Sequence, residues 1–449
     1  MIYQHIYHAC SQVSNDDNSD KILFDPFLYS HMSPFIDCLD DIEFNEVLIS
    51  STDFKAVFIT HTHLDHYDLK SLAKLKKSTP VYIYTPKSKY IDYVLRLGFT
   101  DVTALKIDDS IKVGKLTVSC LPNTNDQLEC AYHITDGVDS VINVADIFFD
   151  KESVDTIVQK YGAPDLLVFP FQVLREHSLS LDPPSNLNEE EFYYNEKFKI
   201  ISYFSPKIVI PGSCQFKFSN ELWKNKIYYY NGREQFTLDL KQKLPNIKSQ
   251  LALSGERFQI HKGSLTKLTQ EDSQCLVKTK AVYDYSFDFN QTIPKLSSLN
   301  EVGDVSFERS HIEKIISFDL KTFLFLYQVK NPKFKSLFEE EIIWRLTLIY
   351  SHDLIVHYDF NLSKKTISQH SDDSIFCDMQ TEIIAKALLK TMAGDLSVVD
   401  ITRHGSMRIH FFSNNPVLVS QERSNLFSLF LAYTYFDQFF EKTLFDLSN

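Results

Sequence analysis

The sequence predicts an α/β first half, a sheet buried under helices, followed by a separate α+β module. Three observations predict it. Short continuous apolar runs alternate with amphipathic helical patterns up to about residue 220. Turn and polar residues then dominate about 246–300. Alternating strand patterns and helical stripes return after that. At 449 residues, and about 150 residues per domain, the chain has room for two or three domains. The expected division is a domain over 1–245, a linker region over 246–300 and a C-terminal α+β module over 301–449. Hydrophobic residues make up 44% and aromatics 14%, which excludes a disordered or collagen-like chain.

The strands expected in the first half are Lys21–Phe24, Ala56–Thr60, Pro80–Tyr84, Lys115–Leu121, Ser140–Ala145, Asp165–Phe171 and Lys207–Ile210. Several are unbroken Val/Ile/Leu runs, as in strands buried on both faces. Between them, Leu69, Leu72 and Leu75 stand three apart and mark one stripe of a helix over Asp68–Lys77. Asp182-Pro183-Pro184-Ser185 and Glu189-Glu190-Glu191 read as a loop entering a helix over Phe192–Phe204. In the last third, Trp344–Tyr350, Leu354–Phe360 and Ser406–Phe412 read as strands. Ile384, Leu388 and Met392 place a helix over Thr381–Met392, with Gly394 as its stop. The Phe- and Tyr-rich run from Phe427 to Phe440 has helical spacing and reads as a packing face.

Composition closes off several functions. Only 11 residues are glycine, against an average near 7%, and neither G-x-G-x-x-G nor G-x-x-x-x-G-K-[ST] occurs, so glycine-cradled phosphate binding finds no support. The net charge is −13, with no clusters of Lys and Arg, which argues against a nucleic-acid partner. No apolar run reaches the roughly 20 residues of a membrane span, and His5 and His8 interrupt what a signal peptide would need to keep apolar. The seven cysteines are scattered without a C-x-x-C pair. A disulfide framework, a four-cysteine zinc site and a Rieske cluster therefore lack support. Reduced thiols in the cytoplasm are the expectation.

The segment that carries chemistry is Ala56-Val-Phe-Ile-Thr-His61-Thr-His63-Leu-Asp65-His66. It reads strand, then H-x-H-x-D-H, then helix. His61 and His63 are two apart, so at a strand end their rings leave on the same side. Asp65 and His66 fall in the turn that follows. Three imidazoles and a carboxylate then converge as ligands for Zn, Fe or Mn.

This segment resembles the signature of the metallo-β-lactamase superfamily, and its flanks agree. Ile22-Leu23-Phe24-Asp25-Pro26-Phe27 resembles the early strand with its Asp-Pro step. His8-Ala9-Cys10 resembles the His-Ala step of the lactonase-like branch, and Val141–Asp146 the strand whose terminal Asp bridges two metals. Asp165–Pro170 and Lys207–Pro211 resemble the last core strands. The narrower likeness is to the ascorbate-phosphate lactonase branch and to the metallo-β-lactamase-like part of CMP-N-acetylneuraminate hydroxylase. The resemblance spans about 1–220. It implies a four-layer αββα sandwich with His61, His63, Asp65, His66 and Asp146 as metal ligands. Two usual ligand positions depart from the pattern. Asn125 stands in the P-x-x-H step, and Ser213-Cys214 follows the late strand.

The function expected is a metal-dependent hydrolase of a small polar or anionic metabolite. One or two divalent ions, zinc first and iron or manganese as alternatives, would lower the pKa of bound water from about 15.7 towards ~7. Asp65 would orient that hydroxide or take its proton. The first alternative is a dioxygen-activating diiron oxygenase fed by an external electron donor. The second is a degenerate binding scaffold. Partners are a small-molecule substrate, with neither nucleic acid nor membrane, and a homodimer or pocket cap is the role open to the C-terminal module. Asp25 is weighed as a carboxylate orienting a ligand His against a plain turn residue. His8 is weighed as a pocket residue against a core histidine. His177 is the candidate replacement ligand, and Cys214 is weighed as thiolate against a buried apolar side chain.

Overall fold

A computed structural model of the chain describes residues 1–33, 35–122, 128–172, 181–182, 187–213, 215–219, 223–269, 275–283, 288, 290–299, 302–330, 335–403, 406–412 and 426–448. The chain divides into two compact units. The first comprises Met1–Leu174 and Asn188–Asp288, the second Arg175–Leu187 and Phe289–Leu447.

Two large sheets form the body of the first unit, beside smaller ones of three and two strands. Eight strands run in the order Ser264–Lys267, Arg257–His261, Ile2–Tyr7, Cys10–Ser14, Ile22–Phe24, Ala56–Ile59, Val81–Tyr84, Val102–Leu105. Seven run in the order Ser110–Val113, Leu116–Cys120, Tyr132–Thr135, Ser140–Asn143, Leu166–Pro170, Ile208–Gly212, Lys248–Ser249. In the first sheet, Ile22–Phe24, Ala56–Ile59 and Val81–Tyr84 are parallel neighbours. In the second, Ser140–Asn143, Leu166–Pro170 and Ile208–Gly212 are. These are the apolar runs, and all their residues are buried except half-buried Tyr82 and Ser140.

The period of two explains how each run serves two cores. Phe24, Ala56 and Phe58 from one sheet pack with Tyr132, Val141, Val168 and Ile210 from the other. The alternate residues Ile142, Leu167 and Val209 turn outward, onto Val154, Ile157, Phe198, Ile201 and Phe236 of the covering helices. Those helices are Lys151–Tyr161, Leu187–Phe204 and Arg233–Lys243. Leu69–Ala73 and Ser88–Arg96 connect strands of the other sheet, with Leu69, Leu72, Tyr90 and Val94 buried. This is the four-layer αββα sandwich.

Three expectations are corrected. The stretch 246–300 is not a linker. It supplies the strands Lys248–Ser249, Arg257–His261 and Ser264–Lys267 to the two sheets, and Val277–Ala281 pairs with Asp41–Phe44. Thr381–Met392 is not one helix. Met379–Ile384 is a strand, and only Ala385–Met392 is helical. Pairing on both sides, with Ile343–Ile349 and Met407–Phe411, overrides the helical spacing of its apolar residues. The helix expected from Phe192 begins at Leu187.

The second unit is built on a six-stranded mixed sheet ordered Leu181–Asp182, Met407–Phe411, Met379–Ile384, Ile343–Ile349, Ile355–Asn361, Thr366–His370. Trp344, Leu346, Tyr358 and Phe360 lie buried on one parity of it. Leu426–Ser448 forms a 23-residue helix. Among the described residues, no helix is long and apolar enough to cross a membrane.

Candidate metal centre

The site forms where strands of the first unit end. His8 follows Ile2–Tyr7, Asp25 follows Ile22–Phe24, His61 comes two residues after the end of Ala56–Ile59, Asp146 comes shortly after Ser140–Asn143, and Ser213 follows Ile208–Gly212. At four of these ends a non-glycine residue has left-handed φ: His8 at 52°, Asp25 at 42°, Ala145 at 54° and Ser213 at 66°. Such backbone is uphill for a side-chain-bearing residue. Here it turns the chain sharply at each strand end, beside one shared cluster of polar side chains.

Asp25 organises that cluster. It is fully buried and accepts from the Thr60 backbone N–H at 2.7 Å and from the Thr60 hydroxyl at 2.8 Å. Its Oδ2 also lies 3.0 Å from Nδ1 of His66. A carboxylate only accepts, so Nδ1 of His66 carries a proton. The Thr60 hydroxyl has given its single proton to Asp25, so toward Nδ1 of His61, at 3.0 Å, it accepts. Nδ1 of His61 is therefore protonated as well. With Nδ1 protonated on both rings, Nε2 is the nitrogen that each would present to a metal ion, which His66 does by giving up its second proton. Asp25 is thus the orienting carboxylate rather than a plain turn residue.

Both Nε2 atoms face other potential ligand atoms. Nε2 of His66 is 3.2 Å from Oδ2 of Asp146 and 3.6 Å from Oδ2 of Asp65. Nε2 of His61 is 2.9 Å from Nδ1 of His63. His61, His66 and Asp146 form one group whose ligand atoms all lie within 4.8 Å of one another, and His8, Asp65 and His66 form another. A third unites His61 and His63 with Glu129. Oε1 of Glu129 is 3.5 Å from Nδ1 of His63 and 3.9 Å from Nε2 of His61. The five residues picked out by the motif and its partner strand therefore lie together. His63 is the most exposed of them at 46%, on the solvent side of the cluster.

Glu129 was not foreseen. A carboxylate four residues after Asn125, in the step where a third His was sought, is the signal that could have found it. The segment is held beside the motif by the Cys130 N–H, which donates to the Thr60 carbonyl at 3.1 Å. Asn125, His177 and Cys214 lie outside the described residues. Ser213 lies within them, and its hydroxyl donates to Oδ1 of Asp146 at 2.7 Å. That occupies one carboxylate oxygen and leaves Oδ2 toward His66.

His8 is buried at the site. Its Nδ1 accepts a long bond from the Gln215 N–H, at 3.4 Å, and its Nε2 lies 3.0 Å from Oδ2 of Asp65. With Nδ1 accepting, the proton sits on Nε2, so His8 fits a donor that holds Asp65 rather than a metal ligand.

The electrostatics call for positive charge. Burial works against charge on His66, yet Asp146, Asp65 and Asp25 hold its pKa well above the ordinary value. Burial, with the imidazoles of His66 and His63 beside it, pushes His61 well down. Burial opposes ionisation of Asp146 and Asp65, but the surrounding histidines, His66 foremost, hold both carboxyls below their usual range. Three carboxylates around one imidazole, beside further imidazole donors, are a donor set that suits a divalent cation.

Residues 21–206 match the family model of the beta-lactamase superfamily domain. The matched span holds Asp25, the H-x-H-x-D-H motif, Glu129 and Asp146, while His8 and Ser213 lie outside it. No curated protein matches the chain. Among solved structures, the chain is similar to a possible metal-dependent hydrolase from Veillonella parvula DSM 2008, with 16% identity and a TM-score of 0.42. That match covers 57% of this chain and 98% of the other. It is similar to the isothiocyanate hydrolase from Delia radicum gut bacteria, with 15% identity and a TM-score of 0.43, over 58% of this chain and 100% of the other. A third similarity is to CmlA, a diiron beta-hydroxylase from Streptomyces venezuelae, with 14% identity and a TM-score of 0.37, over 60% and 54% of the two chains.

Proposed function

We propose that this protein is a metal-dependent hydrolase of a small polar or anionic metabolite. One observation carries the reading. The Asp25–Thr60 network fixes the protons of His61 and His66 on Nδ1, so both Nε2 atoms face a shared cluster of carboxylates. The residues fit one or two divalent ions, with His61, His63 and Glu129 in one group and His61, His66 and Asp146 in another, where Oδ2 of Asp65 also lies 3.6 Å from Nε2 of His66. Bound there, such ions would supply Lewis acidity and an activated water.

The chain's own residues divide the remaining work. His8 holds one oxygen of Asp65, which leaves the other to take a proton from water. Ser213 holds Oδ1 of Asp146, so that Asp146 presents Oδ2. The exposed ring of His63 marks the side from which substrate enters. The resemblance of the His8-Ala9-Cys10 step to a lactonase-like branch motivates a small metabolite as the proposed substrate. A cytoplasmic setting fits the six described cysteines, all of them free thiols.

Glu129 favours a second reading. Two histidines and one carboxylate are also the ligand set of non-haem iron oxygenases, and His61, His63 and Glu129 supply it. Such an enzyme would take electrons from an external donor. Metal analysis of protein purified without chelator, beside His61→Ala, tests both. Zinc with hydrolytic activity supports the first reading. Iron, with oxygen uptake that depends on an added reductant, replaces it with the second. Equal trace metal in wild type and variant sinks both and leaves a binding scaffold.

A further inference from the structure

The second unit holds a cavity that the metal chemistry does not use. It measures about 390 Å³ and lies between the helical stretch from Arg309 to Lys330 and the hairpin Ile355–Asn361/Thr366–His370. Its size is within the range of small-molecule sites. The helical wall is irregular. Between Arg309–Lys314 and Lys321–Lys330, both α-helical, Ile315–Leu320 is a π-helix. Wide turns of this kind are rare and gather at functional sites. This one carries Ser317 and Phe318 on the cavity wall, and Phe318 remains 68% exposed.

The chemistry of the lining is two-sided. Phe318, Leu324, Phe338, Phe360, Leu362 and Ile367 give an apolar body. Lys321 and Lys365 are its charged residues, and among the described residues no acidic side chain lines it. That is unexpected in a chain with 59 acidic and 46 basic residues. Two cations beside an aromatic and aliphatic wall suit an anionic head on an apolar tail, whereas a cation would meet repulsion and a highly charged ligand would lose hydration against the apolar wall. At roughly 30 Å³ per water-sized group, the cavity takes about a dozen non-hydrogen atoms.

We propose that this cavity binds an amphipathic carboxylate with an apolar body of about ten carbons, its head between Lys321 and Lys365 and its tail against the phenylalanine wall. The cavity lining shares no residue with the metal centre, so the proposal stands or falls independently of the hydrolase reading.

Calorimetric titration of the full chain with decanoate tests it, with decanol and decyltrimethylammonium as ligands of the same length but other charge. One decanoate per chain is expected, with decanol and the ammonium at least tenfold weaker. Lys321→Glu combined with Lys365→Glu should weaken decanoate at least tenfold, with an unchanged melting temperature to certify the fold. The three-ligand comparison on wild type needs no variant, so it remains decisive if the double variant does not fold. Absence of saturable decanoate binding overturns the proposal. So does equal binding of all three ligands, or decanoate binding that a folded double variant retains in full.

Discussion

At the residue scale, the candidate centre depends on a carboxylate that need not touch a metal. Asp25 satisfies Thr60 twice and His66 once, and those bonds decide which ring nitrogens carry protons. Asp25→Asn keeps the shape but offers one oxygen and one donating amide. The expected result is a metal affinity lower by about 10–100-fold, the range seen when such orienting groups are changed, measured by competition with a chromophoric chelator; unchanged affinity would remove Asp25 from this role. Glu129→Ala removes a direct candidate ligand, and a loss at least as large is expected in the same assay. His133 gives a pH signature away from the site. It is buried beside Tyr161, and burial pushes its pKa down from 6.5 to about 4. The unfolded chain therefore takes up a proton before the folded chain does. Stability from this group is complete above pH 6.5 and falls as pH drops from 6.5 to about 4, by up to about 3 kcal/mol at 1.36 kcal/mol per unit. His133→Phe should make the acid limb of a urea-unfolding series shallower by about one proton. An identical slope would show that the imidazole is charged in the fold.

At the element scale, what positions the site is a set of strand ends, and these differ in how readable they are. The H-x-H-x-D-H motif is local. Its spacing is in the sequence, and the unbroken run Ala56–Ile59 announces a doubly buried strand. Glu129 is not readable in this way, because its place beside His63 is set by a hydrogen bond between residues 70 positions apart, from Cys130 to Thr60. The strand Ile2–Tyr7 was hidden by its composition. Gln4 and His5 are buried in it, and their partners Gly255 and Gln215 are more than 200 residues away. Met379–Ile384 was misread because its pairing lies on both sides in space, not along the chain. Gly212 shows how closely the strands approach beside the site. A Cβ there would stand 2.6 Å from Cγ1 of Val168. Gly212→Ala is expected to destabilise the fold by about 1–3 kcal/mol, the usual result of overpacking, and Val168→Ala should recover part of that loss in the double variant. Simple additivity in a double-mutant cycle of denaturant midpoints would show that the clash is relieved elsewhere.

At the scale of the whole molecule, every candidate ligand belongs to the first unit, whose two large sheets draw on the chain from Ile2 to Lys267. That is why composition misplaced the boundary near 245. The later strands are short and rich in polar residues, and Arg257–His261 joins the unit through its pairing with Ile2–Tyr7 and the burial of Phe258 and Ile260. The ligands come from ends of strands in both sheets, so an ion held among them ties the two sheets together and must stabilise the first unit. If the unfolded chain does not bind the ion, 100 times its dissociation constant adds about 2.7 kcal/mol. Amides of Ala56–Ile59 that exchange only by unfolding of the unit should then exchange about 100-fold more slowly with zinc or iron than with chelator. His61→Ala should abolish most of that difference while leaving the chelated rate within a few-fold of wild type. If metal leaves those amides unchanged, or protects them equally in His61→Ala, the ion binds elsewhere and the strand-end cluster is a polar core rather than a metal centre.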